Sequence, residues 1–269
     1  MLSRLLPPVV RTFWQRALSE PVQRVIVKSN TNVRAYVHPH SHLGRAILTD
    51  GRYELDTEQI FLEELRPGDV FLDVGANEGY LSAMAATLVG PSGLVIAVEP
   101  QSRLQPLIEI NMRLNDVGRF HVLHRAVGTS SAETARINLY PEANTGQSSL
   151  LKKPRFGWTT LRQHEEEVRF ITPVDILADC GVDHFDFIKV DVEGFEYSVV
   201  DALLPLIRGG QVGKLFLDYH AEILKKLGVD PQVIHQKLLD AGMTILRGDG
   251  HHLSSYILYA RQATVAAAS

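Results

Sequence analysis

The sequence predicts an α/β protein: one mainly parallel sheet covered by helices on both faces, in a doubly wound, Rossmann-like arrangement. The first observation is a series of strand-length apolar runs, "VFLDV" (70–74), "LVIAVE" (94–99), "FHVLHRAV" (120–127), "FDFIKVD" (185–191) and "KLFLDYH" (214–220). Runs with so little polar alternation are buried on both faces, as parallel strands are. Second, helix-compatible segments separate them, and the first two crossovers are short. Third, the first run breaks at "GANEGY", a small-residue turn at the carboxyl end of a strand, where open α/β sheets bind their ligands.

Taken in order, Val9, Val10, Phe13, Trp14, Ala17 and Leu18 fall at helical spacing within 9–19, with Arg11 and Arg16 elsewhere on the wheel. This predicts a helix that docks on the body or touches a membrane surface. Residues 22–55 alternate in "VQRVIVKS" and "NVRAYVHP" and read as a small β lead-in. "DTEQIFLEELRPGD" reads as a helix capped by Thr57, with Ile60, Phe61 and Leu65 as its stripe and Pro67–Gly68 as its stop. At the far end, "MTILRG" (243–248) and "SSYILYAR" (254–261) read as an antiparallel hairpin turned at "DGHH". Residues 129–184 are too long for one crossover. The expected division is 1–55 as a helix and β lead-in and 56–269 as the main domain, with 129–172 an inserted flap.

Composition narrows the function classes. A formal net charge of -4 and a pI near 6.3 leave no basic footprint for a phosphate backbone, so nucleic acid is not an expected partner. Cys180 is the sole cysteine, which rules out an intrachain disulfide or a cysteine-based metal cluster and is compatible with a cytoplasmic location. No window approaches the roughly 18 apolar residues of a spanning helix. The apolar run at the N-terminus is too short for a signal peptide and is broken by Pro7 and Pro8.

The turn chooses among ligands. A dinucleotide site needs a second glycine two residues after the first, so that backbone can touch pyrophosphate. Here Gly75 is followed by Ala76 and Asn77, with the next glycine at Gly79, and the Asn77 side chain stands where a diphosphate would approach. Neither Gly-Lys-Ser nor Gly-Lys-Thr follows, so the loop is no P-loop. Asp73 beside the turn repels phosphate but suits a ligand bearing ammonium and sulfonium groups, as S-adenosyl-L-methionine does. Glu99 ends the second strand, where a carboxylate can hold both ribose hydroxyls.

Together "GRYELDTEQIFLEELRPGDVFLDVGANEGYLSAMAA", "VIAVEPQ", "NMRLN", "RAVG", "NTGQSSL" and "FIKVDVEGFEYSVVDAL" resemble the FkbM family of S-adenosylmethionine-dependent methyltransferases, over roughly residues 45 to 225. The resemblance implies a class I methyltransferase fold with a seven-stranded sheet, and transfer of a methyl group to a hydroxyl oxygen of a small molecule or glycan. It extends the expected cofactor contacts from Asp73, Gly75, Ala76, Asn77, Gly79 and Glu99 to Tyr80, Pro100, Ala126 and Asp191. Two departures stand out: Thr172-Pro173-Val174-Asp175 where the family often has Thr-Leu-Asp, and Asp218 where a Glu is frequent.

At the reacting end, transfer needs positioning and a destination for the acceptor's proton. Lys189, Asp191 and Glu193 alternate along "FIKVDVEG" and share one side while the chain stays extended. Asp218, Tyr219 and His220 end the next strand. Asp191, Glu193, His220 and Lys189 are therefore the catalytic candidates, with His220 the natural base by its ordinary pKa. No metal is required; the alternative is a divalent cation held by Asp191, Glu193 and His220. In the insertion, Asn144, Gly146, Ser148 and Ser149 match the family stretch, and Lys152, Lys153, Arg155 and Arg162 interleave with Phe156 and Trp158, a platform suited to a sugar. His38, His40 and His42, and His251 with His252, read as exposed polar loops. A nicotinamide oxidoreductase is opposed by Asn77 and by the lack of a Tyr-x-x-x-Lys pair. A silent cofactor-binding module, and transfer to nitrogen or carboxylate acceptors, stay open.

Overall fold

The computed structural model describes residues 23–139, 164–251, 253 and 255–261. The expected N-terminal helix, the flap residues from Asn144 to Arg162 and His252 lie outside these.

The main sheet has seven strands in the order β11-β12-β10-β9-β3-β4-β5. They are β3 (Val70–Val74), β4 (Leu94–Val98), β5 (Arg119–Leu123), β9 (Phe185–Val190), β10 (Val212–Asp218), β11 (Met243–Arg247) and β12 (Tyr256–Arg261). All neighbours from β5 to β10 are parallel; β12 is inserted antiparallel between β10 and β11, which completes the expected terminal hairpin. The chain leaves β3 toward β4 on one side and returns to β9 on the other, so the order reverses at the carboxyl end of β3. That is where a crevice opens in such sheets.

Period-two alternation sends each strand's side chains to two cores. Phe71, Val95, Phe187 and Phe216 face one layer, formed by α2 (Leu55–Glu64), α3 (Tyr80–Val89), α4 (Gln105–Arg113), β1 (Val25–Lys28), β2 (Arg34–Val37) and α1 (His42–Asp50). Leu72, Val74, Ile96, Ile188 and Leu215 face the other, formed by α5 (Pro173–Cys180), α6 (Glu196–Arg208) and α8 (Pro231–Asp240), with α7 (Ala221–Lys226) at its margin. Phe61, Phe71 and Phe187 form an aromatic knot where α2 crosses β3 and β9. Edge-to-face and offset ring pairs of this kind add about 0.5–1.5 kcal/mol each beyond the area they bury.

The β1–β2 hairpin is fastened by the "NMRLN" stretch. Asn111 and Asn115, one turn apart on and just after α4, accept from the backbone N–H groups of Tyr36 (2.6 Å) and Arg34 (2.8 Å). The i, i+4 spacing puts both amides on one helix face against an otherwise unpaired strand edge.

Five expectations are corrected. Residues 42–50 are helical rather than strand or loop: Ser41 Oγ accepts from Gly44 N at 3.0 Å as a side-chain cap. His38 is buried, not exposed, whereas His40, His42 and His251 are exposed. Thr57 is not the cap of α2. That place falls to Glu54, in a left-handed conformation (φ 50°), and Thr57 Oγ1 donates back to Glu54 Oε2 (3.2 Å). The run 120–127 is not one strand: the Arg125 N–H folds back on Leu123 O (2.9 Å), and β6 (Ala126–Val127) joins another sheet. That sheet, β6-β8-β7, is made by β7 (Thr134–Leu139) and β8 (His164–Ile171), so what read as an irregular flap contains a β-hairpin at its base.

Candidate active site

The turn after β3 is built by backbone. Gly75 N and Ala76 N donate to Val98 O (2.9 and 3.2 Å), and Asp191 N donates to Val74 O (3.0 Å), so three strand ends converge. Gly75 has φ 85°, and a Cβ there would lie 1.9 Å from the Asp191 carbonyl oxygen. Only glycine allows that approach. A cavity opens over this turn, lined among others by Gly75, Asn77, Glu99, Pro100, Ala126 and Asp191.

Six expected cofactor contacts thus share one cavity, and the other four do not line it. Ala76 is buried beneath it. Gly79 begins α3 against Ile108. Tyr80 is turned into the core, its hydroxyl donating to Glu58 Oε1 (2.8 Å). Asp73 is fully buried behind the turn, accepting from Lys189 Nζ (3.2 Å) and Ser82 Oγ (2.6 Å). Its carboxylate cannot touch a ligand in the cavity; its field is answered by the lysine.

Glu99 is held differently. Its Oε2 accepts from Asn77 N (2.9 Å) and its Oε1 from Gln101 N (3.0 Å), which fix the carboxylate at the cavity wall. Burial pushes its pKa up to about 7, against the pull of those two backbone donors.

Four carboxylates stand at the opposite end: Glu54, Asp191, Glu193 and Asp218, with His220 among them. Burial raises the Asp218 carboxyl to about 6, with repulsion from Asp191 adding to it. Glu54 is raised for the same two reasons. Lys189 bonds Asp73, Gly75 O (3.4 Å) and Asp191 Oδ2 (3.4 Å). Burial pulls its pKa down, but Asp73 and Asp191 outweigh that and hold it above its ordinary value. Lys189 is an ammonium locked between two carboxylates, outside the lining of the main cavity.

The His220 Nε2 lies 3.8 Å from Asp191 Oδ1 and 3.7 Å from Glu193 Oε1, and its Nδ1 is 2.6 Å from Glu196 Oε1. Burial lowers its pKa, yet the Glu196 bond and the neighbouring carboxylates prevail and lift it to about 9. Its resting form is the imidazolium, not the neutral ring that its ordinary pKa predicts. Glu193, at φ 50°, has left the extended line of Lys189 and Asp191, and its Oε1 faces His220 Nε2. For a cation, the donor atoms that converge within 4.8 Å belong to Asp191, Asp218 and His220 rather than to the trio with Glu193; the Lys189 ammonium already sits on Asp191, and we assign no metal there.

Sequence reasoning missed Tyr53, Glu54 and Glu196. The first two are fixed by Glu58, fully buried, whose carboxylate accepts from Arg52 Nε, Tyr53 N and Tyr80 Oη. Glu58 lies outside the apolar stripe of Ile60, Phe61 and Leu65, and nothing in the spacing marks it as buried. Of the two departures from the family pattern, Thr172 and Asp175 form a reciprocal helix cap away from the cavity (Asp175 N to Thr172 Oγ1 3.1 Å), and Asp218 lines it.

A parallel sheet with an antiparallel seventh strand, and an acidic crevice with a glycine turn at its switch point, define a class I methyltransferase architecture. The chain matches the methyltransferase FkbM domain over residues 73–242, more than half its length, and belongs to that family. It is accordingly an S-adenosylmethionine-dependent methyltransferase. No curated protein matches it. Solved structures similar to it include a putative rRNA-methylase from Clostridium thermocellum (11% identity, 77% of this chain and 93% of that one, TM-score 0.45). Aeropyrum pernix fibrillarin with bound S-adenosyl-L-methionine is another (14%, 90% and 84%, TM-score 0.43). A third is an O-methyltransferase from Bacillus cereus in complex with SAH (15%, 78% and 82%, TM-score 0.44).

The cavity's chemistry fits the cofactor. The Glu99 carboxylate is presented by two backbone donors, Gly75 keeps the floor clear of side chain, and the Lys189 ammonium at the turn is already tied to Asp73 and Asp191.

Proposed function

We propose that the protein transfers a methyl group from S-adenosylmethionine to a hydroxyl oxygen of a small molecule or glycan. In this reading Gly75, Asn77, Glu99, Pro100, Ala126 and Asp191 hold the cofactor, and the acceptor lies at the His220 end of the same cavity. The bound cofactor supplies a methyl carbon already activated by its sulfonium. The chain's own residues do the rest. Glu99 orients the adenosyl end, Ile137 of β7 closes the wall from the insertion side, and His220 Nε2, as the neutral ring, takes the acceptor's proton. Asp191 and Glu193 then stabilise the imidazolium that forms.

The observation that carries the proposal is the placement of His220 Nε2 within 4 Å of two carboxylate oxygens in the cavity that also holds Glu99. A group that merely filled space there would not need three acidic neighbours. Incubation with methyl-labelled cofactor and a metabolite extract of the host should yield one labelled neutral hydroxyl derivative. Asp191→Asn should abolish the label even at cofactor concentrations that saturate the variant. Label on nitrogen, on a carboxylate or on macromolecules would replace the acceptor class, and full activity of the variant would remove Asp191 from the chemistry.

A further inference from the structure

His220 reaches the cavity on a flexible side chain from the end of β10, so something must fix its ring. Glu196 is the first residue of α6, fully buried, and its Oε1 accepts from Gly194 N (3.0 Å) as well as facing His220 Nδ1 at 2.6 Å. Its Oε2, also buried, is the one buried side-chain oxygen or nitrogen among the described residues without a hydrogen-bond partner. Burying a carboxylate with one oxygen unsatisfied is costly, and an apolar residue of similar volume would serve packing better. An acid in the first turn of a helix is ordinary when exposed, where the helix dipole and water support it. Inside the protein that explanation does not suffice. The approach is local and deliberate in backbone terms: Glu193 (φ 50°) and Gly194 (φ 100°) turn the chain sharply after β9, which tucks the start of α6 beneath the end of β10.

We propose that Glu196 is the positioning residue of the active site: its carboxylate takes the Nδ1–H of His220, fixes the tautomer, and turns Nε2 to the acceptor between Asp191 and Glu193. The pairing follows the general rule that a histidine base is aimed by a carboxylate on its far nitrogen. The assignment rests on the reading of His220 as the group that accepts the proton.

The other charges that face the ring are Asp191 and Glu193 from the turn after β9 and Asp218 from the end of β10, with Glu54 and Lys189 one neighbour further. They are unchanged in Glu196→Gln, which keeps the size of the side chain and removes its charge. The experiment follows the His220 ring by NMR titration of the full chain without ligand, assigned by its loss in His220→Gln, and then the pH profile of methyl transfer from labelled cofactor to the extract. The expected result is a His220 midpoint at least one pH unit lower in Glu196→Gln, a transfer rate about 100-fold lower at pH 8, a rising limb displaced to lower pH, and cofactor affinity within about twofold of wild type. Glu196→Asp, which keeps the charge at a shorter reach, should recover at least tenfold of the lost rate, and it replaces the Gln variant if that one does not fold. An unchanged midpoint overturns the positioning role. A displaced midpoint with an unchanged rate and pH profile overturns the reading of His220 as proton acceptor, and Glu196's role with it.

Discussion

Gly75→Ala puts the geometry of the turn under direct stress. The added methyl would stand 1.9 Å from the Asp191 carbonyl oxygen, where ordinary contact begins at 3.4 Å, so β3 and the turn after β9 must separate by about 1.5 Å. Neither side is a flexible side-chain end: the oxygen is backbone, and its own residue is tied to Val74 O through its N–H (3.0 Å). Overpacking of this kind costs about 1–3 kcal/mol, and a left-handed alanine adds about 1–2 kcal/mol. The expected loss is about 2–5 kcal/mol. Gly181 provides the control, since it is left-handed (φ 68°, ψ 39°) and a Cβ there would meet nothing within 4 Å. Gly181→Ala should therefore lose only the backbone portion, about 1–2 kcal/mol. Urea unfolding of both variants isolates the contact. Calorimetry should show S-adenosylmethionine binding at least tenfold weaker in Gly75→Ala and unchanged in Gly181→Ala. Equal stabilities of the two variants, with equal affinities, would refute the convergence of these strand ends on the cofactor.

The remaining expectations concern charge. Asp73→Ala leaves Lys189 buried with only Asp191 and Gly75 O, and should cost about 3 kcal/mol in urea unfolding, as breaking a buried pair does; a loss under 1 kcal/mol would show that the pair is not the support it looks to be. Glu99 keeps its proton in the folded protein up to about pH 7 while the unfolded chain loses it near 4.5. Folding then binds a proton between those values, so this residue's contribution falls as pH rises through the window, by on the order of 3 kcal/mol. The stability difference between wild type and Glu99→Gln should shift against wild type from pH 4.5 to 7 and be level above; a flat difference contradicts the burial argument. With His220 held protonated up to about pH 9, the transfer rate should climb from pH 7 to 9 and then level. A rate already level at pH 7 would point to a carboxylate as the base.

Much of the scaffold is legible because its strands are buried on both faces. Uninterrupted apolar runs such as "VFLDV" and "LVIAVE" leave little alternative to a central parallel sheet, and the structure places β3 and β4 as adjacent parallel strands. The break after β5 was hidden because His124 and Arg125 interrupt the run by only two residues, a gap that a strand edge also tolerates. The helix 42–50 was hidden by Gly44, which sits there because a Cβ would come within 2.1 Å of His38 O. A close approach of two backbones has no periodicity to read. In the cavity, the residues that line it by backbone and strand end, Gly75, Asn77, Glu99 and Asp191, were legible from the turn and its spacing. Those that depend on what lies across the sheet were not. Asp73 looks like a ligand contact until Lys189, 116 residues away in sequence, is found against it. His220 looks like a neutral base until Glu196 is found on its far nitrogen.

The most direct measurement is a crystal soaked with S-adenosylhomocysteine beside one soaked with NADH. Density for the adenosyl moiety across the Gly75 turn, with the ribose hydroxyls on Glu99 and nothing from NADH, is the predicted result. NADH density with its diphosphate seated against Asn77, and an empty turn in the other crystal, would contradict it.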